Sequence, residues 1–309
     1  MLFLSCKVTV GICAYNEDRN IEKLLQNVLQ QQELSPDSEV IVVCSGCTDN
    51  TANFVNTYAT QDARVKPYFE KERKGKASAI NHIIVNATGD AILFISADTL
   101  PSKKCFPKLL SKLWRPNVGL VCGNPTPVNT SKSMIGRIVQ LLWRFHGHVF
   151  EELNDAGLAR HATEAFVVRR ELVEKMPPET INDDAYIAVN VKKKGWLIKF
   201  CSDVPISICG PKTFKEYFQQ RRRVVFGHYQ LKKLTGESPQ YLVQMMPSQP
   251  IRTAKLALWL TTKYDPFTLL TFLVAEFFVN IVALFDFGLG KTHVQWTVLP
   301  STKTVILQP

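Results

Sequence analysis

Two acidic positions, far apart in the sequence, have the surroundings that a reaction centre needs. Asp98 stands just past the apolar run 91–96, and the pair Asp183-Asp184 precedes the apolar residues 185–187. A carboxylate among basic neighbours can hold a divalent cation that grips a diphosphate. A second carboxylate within reach of a hydroxyl can act as a general base. Either position could instead cap a helix N-terminus, where aspartate is preferred.

Two basic segments carry residue types that bind phosphate. Lys74-Gly75-Lys76 opens a predicted helix, and the amides of a helix N-terminus attract anions. Residues 219–223, Gln-Gln-Arg-Arg-Arg, lie on a second predicted helix, where Arg223 shares a face with Gln220. The planar guanidinium suits the oxygens of a departing diphosphate. A solvated helix face or a patch for lipid headgroups explains the other arginines equally well.

Cys44 and Cys47 have the Cys-x-x-Cys spacing of redox proteins. They stand between a predicted strand and a predicted helix, whose N-terminus would lower the pKa of a thiol. A thiol oxidoreductase is therefore one alternative. Zinc is not expected, because no second ligand pair stands at suitable spacing. His146 and His148 point to opposite faces of their predicted helix, so they do not form a ligand pair.

The elements that must position these residues alternate between two periodicities. Through the first 125 residues, β-rich runs are followed by helical patterns. The sequence therefore predicts parallel strands joined by right-handed crossovers, with helices on both faces of an α/β sheet. Active sites in such sheets lie at the carboxyl ends of the strands. Here those ends are residues 14–17, 44–49 and 96–100. Later predicted elements are a helix over 132–153, a short extended run over 164–169, strands over 197–200 and 204–208, and a basic helix over 215–234.

The composition changes after about Gly236. Residues 251–264 form an amphipathic pattern typical of a helix in a membrane interface. Residues 267–285 follow as an apolar stretch that is long enough to cross a bilayer core of about 30 Å, with Glu276 as its one ionisable side chain. A carboxyl at midspan costs about 3 kcal/mol on insertion scales. Membrane association is favoured, and the alternative is a buried hairpin in which Glu276 faces a partner.

Composition and charge narrow the class of protein. The chain has 309 residues, 46% of them hydrophobic and 21% charged, which favours one large domain, or a domain with an appendage, over disorder. The net charge of +10 favours an acidic partner, whether nucleic acid, anionic lipid or a phosphate compound. Nucleic acid ranks last, because no aromatic residues interleave with the arginines. The eight cysteines lie mostly in apolar runs and indicate reduced thiols. No secretory signal is expected.

The order of the motifs is more specific than any one of them. The series is Ala14-Tyr15-Asn16-Glu17, Ser45 to Thr51, Gly75 to Asn81, Ala97-Asp98-Thr99, Asp183-Asp184 and Gln220 to Arg223. Over about residues 7–230 it resembles glycosyltransferase family 2, the inverting GT-A enzymes. The resemblance implies a GT-A nucleotide-sugar-binding fold, a mostly parallel sheet flanked by helices, as a catalytic domain over 1–235. Residues 236–309 would then form a membrane-associating helical segment and tail.

The resemblance also implies roles for individual residues. Asp184 matches the family's base, and Arg223 and Gln220 match its motif near the diphosphate. Asp98 matches the aspartate that ligates Mn²⁺ or Mg²⁺. The residues implied to contact the nucleotide sugar are Tyr15, Glu17, Ser45, Lys76, Asp98, Asp183 and Arg222, with Lys76 at the edge of the pocket.

Three positions depart from the family pattern. Ser96 replaces the first aspartate of Asp-x-Asp, so the metal depends on Asp98 alone. Ser45 replaces the aspartate that reads a uracil edge, which leaves UDP-sugars and GDP-sugars both open as donors. Val224 replaces a tryptophan that would line an acceptor channel, which disfavours processive synthesis.

The sequence thus predicts a membrane-associated, metal-dependent inverting glycosyltransferase that faces the cytoplasm. Its acceptor would be a hydroxyl of a glycan or of a lipid-linked molecule, and nucleic acid is not an expected partner. This function requires both acidic positions to converge on one pocket, with the arginine helix closing over it. The alternatives are a non-catalytic nucleotide-sugar binder and the thiol oxidoreductase.

Overall fold

Strands and helices alternate through the first part of the chain, as the sequence predicts. The computed structural model describes residues 6–31, 35–239, 249–294 and 298–303. Its strands are β1 (Val8–Ala14), β2 (Glu39–Ser45), β3 (Val65–Glu70), β4 (Ala91–Ser96), β5 (Thr99–Pro101), β6 (Val118–Pro127), β7 (Ala165–Arg169) and β8 (Leu197–Ile208). Its helices are α1 (Ile21–Leu29), α2 (Thr51–Gln61), α3 (Lys76–Asn86), α4 (Cys105–Leu113), α5 (Met134–Asp155), α6 (Asp183–Lys193), α7 (Phe214–Thr235), α8 (Pro250–Lys263) and α9 (Pro266–Gly288).

The strands form a single twisted layer in the order β3-β2-β1-β4-β7-β6-β8-β5. The first four positions of this order pair in parallel, with Ala14 of β1 opposite Cys44 of β2. Strand β7 is antiparallel to β4 and β6, and β5 is antiparallel to β8. The predicted α/β class is confirmed. The antiparallel strand β7 also begins at the edge where β4 ends, since Ile95 pairs with Ala165.

Apolar side chains cover both faces of the sheet, as strands buried on two sides require. Helices α1 and α4 bury Leu24 and Phe106 in the core of one face. Helices α3 and α5 bury Ile83 and Phe150 in the core of the other. A Cβ on Gly11 would approach Cγ2 of Ile83 at 2.7 Å. The glycine thus lets α3, which begins at the edge of the predicted site, lie directly on β1.

The two late strands that the sequence predicts are one continuous strand, β8, which is a correction. The polar residues Ser202 and Asp203 interrupt the apolar pattern, but they lie in the strand beside a shift in its register with β6. Asp203 accepts from Lys108 and Lys112 of α4 at 2.8 and 3.4 Å. These ion pairs hold the irregular part of the strand at the surface.

Helix α9 packs along α7 through a charged contact in an apolar setting. Glu276 accepts from the Tyr217 hydroxyl at 2.7 Å and from Arg221 Nε and Nη2 at 2.9 and 2.8 Å. Glu276 therefore faces a partner inside the protein, as the alternative to membrane association expected for this residue. Within the described residues α9 is also the one helix long and apolar enough to cross a membrane. Its outward face exposes Phe267, Leu270, Leu273, Phe277, Phe278, Leu284 and Phe285.

Glu276→Ala should lower the free energy of unfolding by about 3–5 kcal/mol, because it leaves the Arg221 guanidinium without its carboxylate in a largely buried setting. The double variant Arg221→Met with Glu276→Leu should recover most of that loss. Urea unfolding of the detergent-solubilised chain measures both. Glu174→Ala is the control, since it removes an exposed pair with Lys194 and should leave the midpoint unchanged. Equal midpoints for Glu276→Ala and the control would contradict the prediction.

Candidate active site

One cavity of about 690 Å³ lies at the carboxyl ends of β1, β2 and β4. Both acidic positions and the arginine helix α7 contribute to its wall, so the structure brings together the groups that the predicted function requires. Every site residue that the sequence predicts lines it: Tyr15, Glu17, Ser45, Lys76, Asp98, Asp183, Asp184, Gln220, Arg222 and Arg223.

The loops after β1 and β2 form one end of the cavity. Tyr15 follows β1, and the Arg73 guanidinium stacks on its ring at 4.1 Å from the centroid. Ser45, the last residue of β2, donates to the Glu70 carboxylate, which also accepts from Ser78 at 2.9 Å. This aromatic and hydroxyl-lined end can hold a planar base. Glu70 ends β3, and the sequence analysis missed it.

Gly46 explains how these loops come so close. Its φ of +64° is a left-handed conformation, and a Cβ there would stand 2.4 Å from the backbone nitrogen of Arg73. A residue with a side chain would therefore push the Arg73 loop away from Ser45.

Glu17 and Asp98 bring negative charge to the same end of the cavity. Glu17 is buried, and burial together with the nearby Asp98 carboxylate raises its pKa to about 7. Lys303 forms an ion pair with Glu17 and moderates this rise. Asp98 is followed by the short strand β5, and the next helix begins at Cys105. The helix-cap interpretation of Asp98 is therefore wrong.

The neighbouring aspartates at the start of α6 have different surroundings. Asp183 is buried and pairs with Lys76 at 3.1 Å. Asp184 keeps 21% of its side chain exposed, and its Oδ2 lies 4.0 Å from His161 Nδ1. Asp183 thus anchors the helix start to α3, while Asp184 faces the cavity.

Lys76 lines the cavity and is paired with Asp183. Its ammonium lies between Asp183 and Ser96, 3.1 Å from the carboxylate and 3.5 Å from the Ser96 hydroxyl. Burial by itself would lower the pKa of Lys76, but the carboxylates of Asp183, Asp184 and Glu164 raise it above its ordinary value. Lys76 therefore remains charged and neutralises the inner carboxylates.

The three consecutive arginines of α7 have three different environments. Arg221 pairs with Glu276, and Arg222 pairs with Asp286, both on α9. Arg223 is partly buried near the acidic groups: burial lowers its pKa, and the carboxylates of Asp183 and Glu164 act in the opposite direction. Arg223 is thus the arginine that faces the reaction centre.

The start of α6 contacts α7 beside these residues, and the side chain of Asn182 makes the contact. Asn182 donates through Nδ2 to the Val224 carbonyl at 2.9 Å. A Cβ on Gly227 would stand 2.5 Å from Asn182 Oδ1. The start of the aspartate helix is therefore held directly against the arginine helix.

Glu164 is the main acidic residue that the sequence analysis missed. It precedes β7, and its carbonyl accepts from the Ser96 amide at 3.1 Å. Burial, followed by repulsion from Asp184, raises its pKa to about 8. Glu164 reaches the site because β7 runs antiparallel to β4, and the local periodicity of the sequence does not reveal this direction.

Three histidines line the part of the cavity beyond Asp184. His146 and His161 have ring centroids 5.9 Å apart, and His161 and His228 lie 6.0 Å apart. Burial lowers the pKa of His146 to about 3, so its imidazole is neutral near pH 7. The polar atoms and rings here suit hydroxyl groups better than anions.

The residues fit a divalent cation that takes most of its ligands from a bound phosphate compound. Within the described ranges, no three His, Cys, Asp or Glu side chains form a metal cluster. Asp98 would serve as the protein ligand, and magnesium-type sites commonly combine one or two carboxylates with substrate phosphates. Asp98 and Glu17 line the same cavity, and a cation would reduce the repulsion between their carboxylates.

The mixed sheet and its flanking helices form a GT-A fold. The structure is similar to that of the mannosyltransferase PcManGT from Pyrobaculum calidifontis, solved with GDP-Man and Mn²⁺. The TM-score is 0.65, with 22% identity over 93% of this chain and 88% of that one. TarS from S. aureus is similar at a TM-score of 0.51, with 18% identity over 71% of this chain and 39% of TarS.

The sequence comparisons then give the family. The model of glycosyl transferase family 2 matches residues 9–176, more than half of the chain, and the chain belongs to this family. The probable glycosyltransferase YdaM of Bacillus subtilis (strain 168) is 26% identical over 234 residues, 72% of this chain and 55% of YdaM. Poly-beta-1,6-N-acetyl-D-glucosamine synthase of Staphylococcus aureus (strain COL) is 25% identical with the same coverage. The chain spans about half the length of these relatives.

Glu164→Gln should reduce the loss of stability that the wild type shows as pH rises. The pKa of Glu164 is about 8 in the folded state against an ordinary 4.5. Its contribution to the free energy of unfolding is therefore fully present below pH 4.5 and is lost as pH rises through about 8. The variant should gain up to about 3–5 kcal/mol over the wild type by pH 8.5. Urea unfolding at pH 5, 7 and 8.5 measures this difference. Glu171→Gln, at an exposed position, is the control, and parallel curves for all three proteins would refute the prediction.

Proposed function

We propose that the chain is a membrane-associated, inverting glycosyltransferase that moves a sugar from a nucleotide-sugar donor to a hydroxyl acceptor. The observation that carries the proposal is the convergence of Asp98, Asp184 and Arg223 on one cavity. These residues supply a metal ligand, a base and a phosphate-binding cation. Residues 1–235 would form the catalytic domain and residues 236–309 the membrane-associating segment.

The donor nucleotide would occupy the end of the cavity near Tyr15 and Ser45. The base would lie against Tyr15 and the hydroxyl of Ser45, with its diphosphate toward Asp98 and Glu17. Both UDP-sugars and GDP-sugars fit this chemistry. The GDP-Man bound by PcManGT supports a nucleotide sugar as the donor class.

The reaction would be a single in-line displacement. Asp184 accepts the proton of the acceptor hydroxyl, and the hydroxyl oxygen forms a bond to the anomeric carbon. The bond from that carbon to the phosphate oxygen breaks, and its electron pair leaves with the nucleoside diphosphate. Attack opposite the leaving group inverts the configuration.

Two further groups would lower the barrier. Arg223 stabilises the charge that develops on the leaving diphosphate. The Lys76–Asp183 ion pair holds the start of α6, so that Asp184 stays directed into the cavity. Mn²⁺ or Mg²⁺ held by Asp98 would supply further neutralisation of the diphosphate when bound.

The acceptor would approach from the side of α9. Phe272, Glu276 and Asn280 of this helix line the cavity, and its opposite face exposes a continuous apolar stripe. With the charge of Glu276 satisfied by Arg221 and Tyr217, the helix can contact lipid at little electrostatic cost. The arrangement supports a lipid-linked or membrane-proximal glycan acceptor. All eight cysteines are free thiols, which supports a cytoplasmic catalytic domain.

Asp184→Asn should retain nucleotide binding and lose turnover by about 10²–10⁴-fold, because the amide cannot accept the proton. The readout is release of nucleoside diphosphate from UDP-glucose, UDP-GlcNAc or GDP-mannose in the presence of Mn²⁺, with water as the acceptor. Turnover at the wild-type rate would remove Asp184 from its role. No release by the wild-type protein with any of these donors, despite binding, would favour the non-catalytic binder.

The contrasting variant is Asp98→Ala. It should weaken nucleoside diphosphate binding in the presence of Mn²⁺ and leave binding in EDTA unchanged, because only the metal-dependent part involves Asp98. Isothermal titration with and without Mn²⁺ separates the two. Identical affinities of the variant and the wild type with Mn²⁺ would contradict the ligand assignment.

The apolar stripe of α9 should bind lipid. The wild type should float with vesicles of phosphatidylcholine and phosphatidylglycerol. A triple variant, Phe267→Gln, Leu270→Gln and Phe277→Gln, should partition into the vesicles at least about 10-fold less, because it removes apolar area that the lipid would bury. Val85→Gln is the matched control, since Val85 is 56% exposed on α3. Equal flotation of the triple variant and the control would exclude the stripe as the lipid contact.

A further inference from the structure

The chain returns to the active site after α9. Val294 lies 3.4 Å from the position that a Cβ on Gly75 would take, so this part of the chain passes over the start of α3. The segment 298–303, here named the C-terminal strap, also lies against the cavity. Four of its residues line the cavity: Val298, Leu299, Thr302 and Lys303.

The strap is fixed on both sides of the cavity by specific hydrogen bonds. On the α7 side, the Ser301 hydroxyl donates to Glu216 Oε2 at 2.6 Å and accepts from the Lys212 amide at 3.1 Å. On the β1 side, Asn20 Nδ2 donates to the Lys303 carbonyl at 2.8 Å. The strap therefore connects the arginine helix to the loop that carries Tyr15 and Glu17.

The side chain of Lys303 enters the end of the cavity that holds the acidic groups. Its ammonium forms an ion pair with the Glu17 carboxylate and donates to the Tyr15 carbonyl at 3.0 Å. The Lys303 side chain keeps 20% of its surface exposed, against 5% for Glu17. An ammonium has three donors, so beyond these two contacts with described residues one donor remains for a ligand in the cavity.

The charge balance at this end suggests what that ligand is. Asp98 lines the same cavity as Glu17 and Lys303, and Lys303 brings a cation from the chain itself to these carboxylates. A fixed ammonium beside the metal ligand is well placed for a diphosphate oxygen.

We propose that Lys303 is a donor-binding residue whose ammonium binds the diphosphate of the nucleotide sugar, and that the C-terminal strap forms the closing wall of the donor pocket. The inference rests on the proposed function, since it assumes a nucleoside diphosphate in this cavity. Glu17 acts as a positioning residue that holds the ammonium in place.

The test measures binding of UDP, GDP, uridine and guanosine to the full-length chain in detergent with Mn²⁺. Lys303→Ala should raise the Kd of the diphosphate that the wild type binds by at least about 10-fold, and should change the Kd of the matching nucleoside by less than about 2-fold. Lys303→Arg should stay within about 3-fold of the wild type, because the charge is kept. Lys23→Ala, at an exposed position of α1, removes the same charge outside the cavity and should bind like the wild type.

The outcomes separate this inference from the proposed function. An unchanged Kd for the diphosphate in Lys303→Ala would overturn the inference alone, and so would tighter binding, which would make the strap a plug that competes with the donor. A wild-type protein that binds neither diphosphate would overturn both proposals. Nucleoside binding reports whether each variant is folded. If Lys303→Ala loses it, Lys303→Met, which keeps the aliphatic stem, is compared in its place under the same criteria.

Discussion

Among the described residues, six carboxylates line the cavity. Glu276 is paired with Arg221 on the α7 side, and the other five are Glu17, Asp98, Glu164, Asp183 and Asp184. Carboxylates at such close quarters repel one another, and burial makes the repulsion stronger. Lys76, Arg223 and Lys303 enter the same space and offset much of this charge. Burial is the largest cause of the raised pKa values of Glu17 and Glu164, and repulsion from neighbouring carboxylates adds to it.

These cations come from parts of the chain that are distant in sequence. Lys76 begins α3, Arg223 lies in α7, and Lys303 is 286 positions from its partner Glu17. The site is therefore electrostatically complete only when the sheet, the arginine helix and the C-terminal strap have assembled. Helix α7 is central to this assembly, because it directs one arginine to the site and uses the two before it to hold α9.

Much of the fold and part of the site could be predicted from the sequence. Asp98 stands out because it follows an apolar strand, and the order of the motifs gave the family that the comparisons confirm. The resemblance singled out Arg223, but the sequence did not indicate what Arg221 and Arg222 contact. Their roles are decided by Glu276 and Asp286, which lie 55 and 64 positions away on α9.

Other features had no local signal at all. Glu164 reaches the site only because β7 runs antiparallel to β4, and a run of five residues does not specify its direction. Lys303 lies in a tail with no periodicity, so nothing in its neighbourhood indicates a contact with Glu17. The parts that escaped prediction are thus those that depend on pairing between distant segments.

The contact between α6 and α7 has a consequence for the geometry of the reacting groups. Asn182 adjoins the acidic pair and Val224 adjoins Arg223, and these two neighbours are hydrogen-bonded directly to each other, with Gly227 packed against the same asparagine. The positions of Asp184 and Arg223 are therefore coupled through their immediate neighbours. A substitution that separates α6 from α7 at this contact would also change the distance between the carboxylate and the guanidinium.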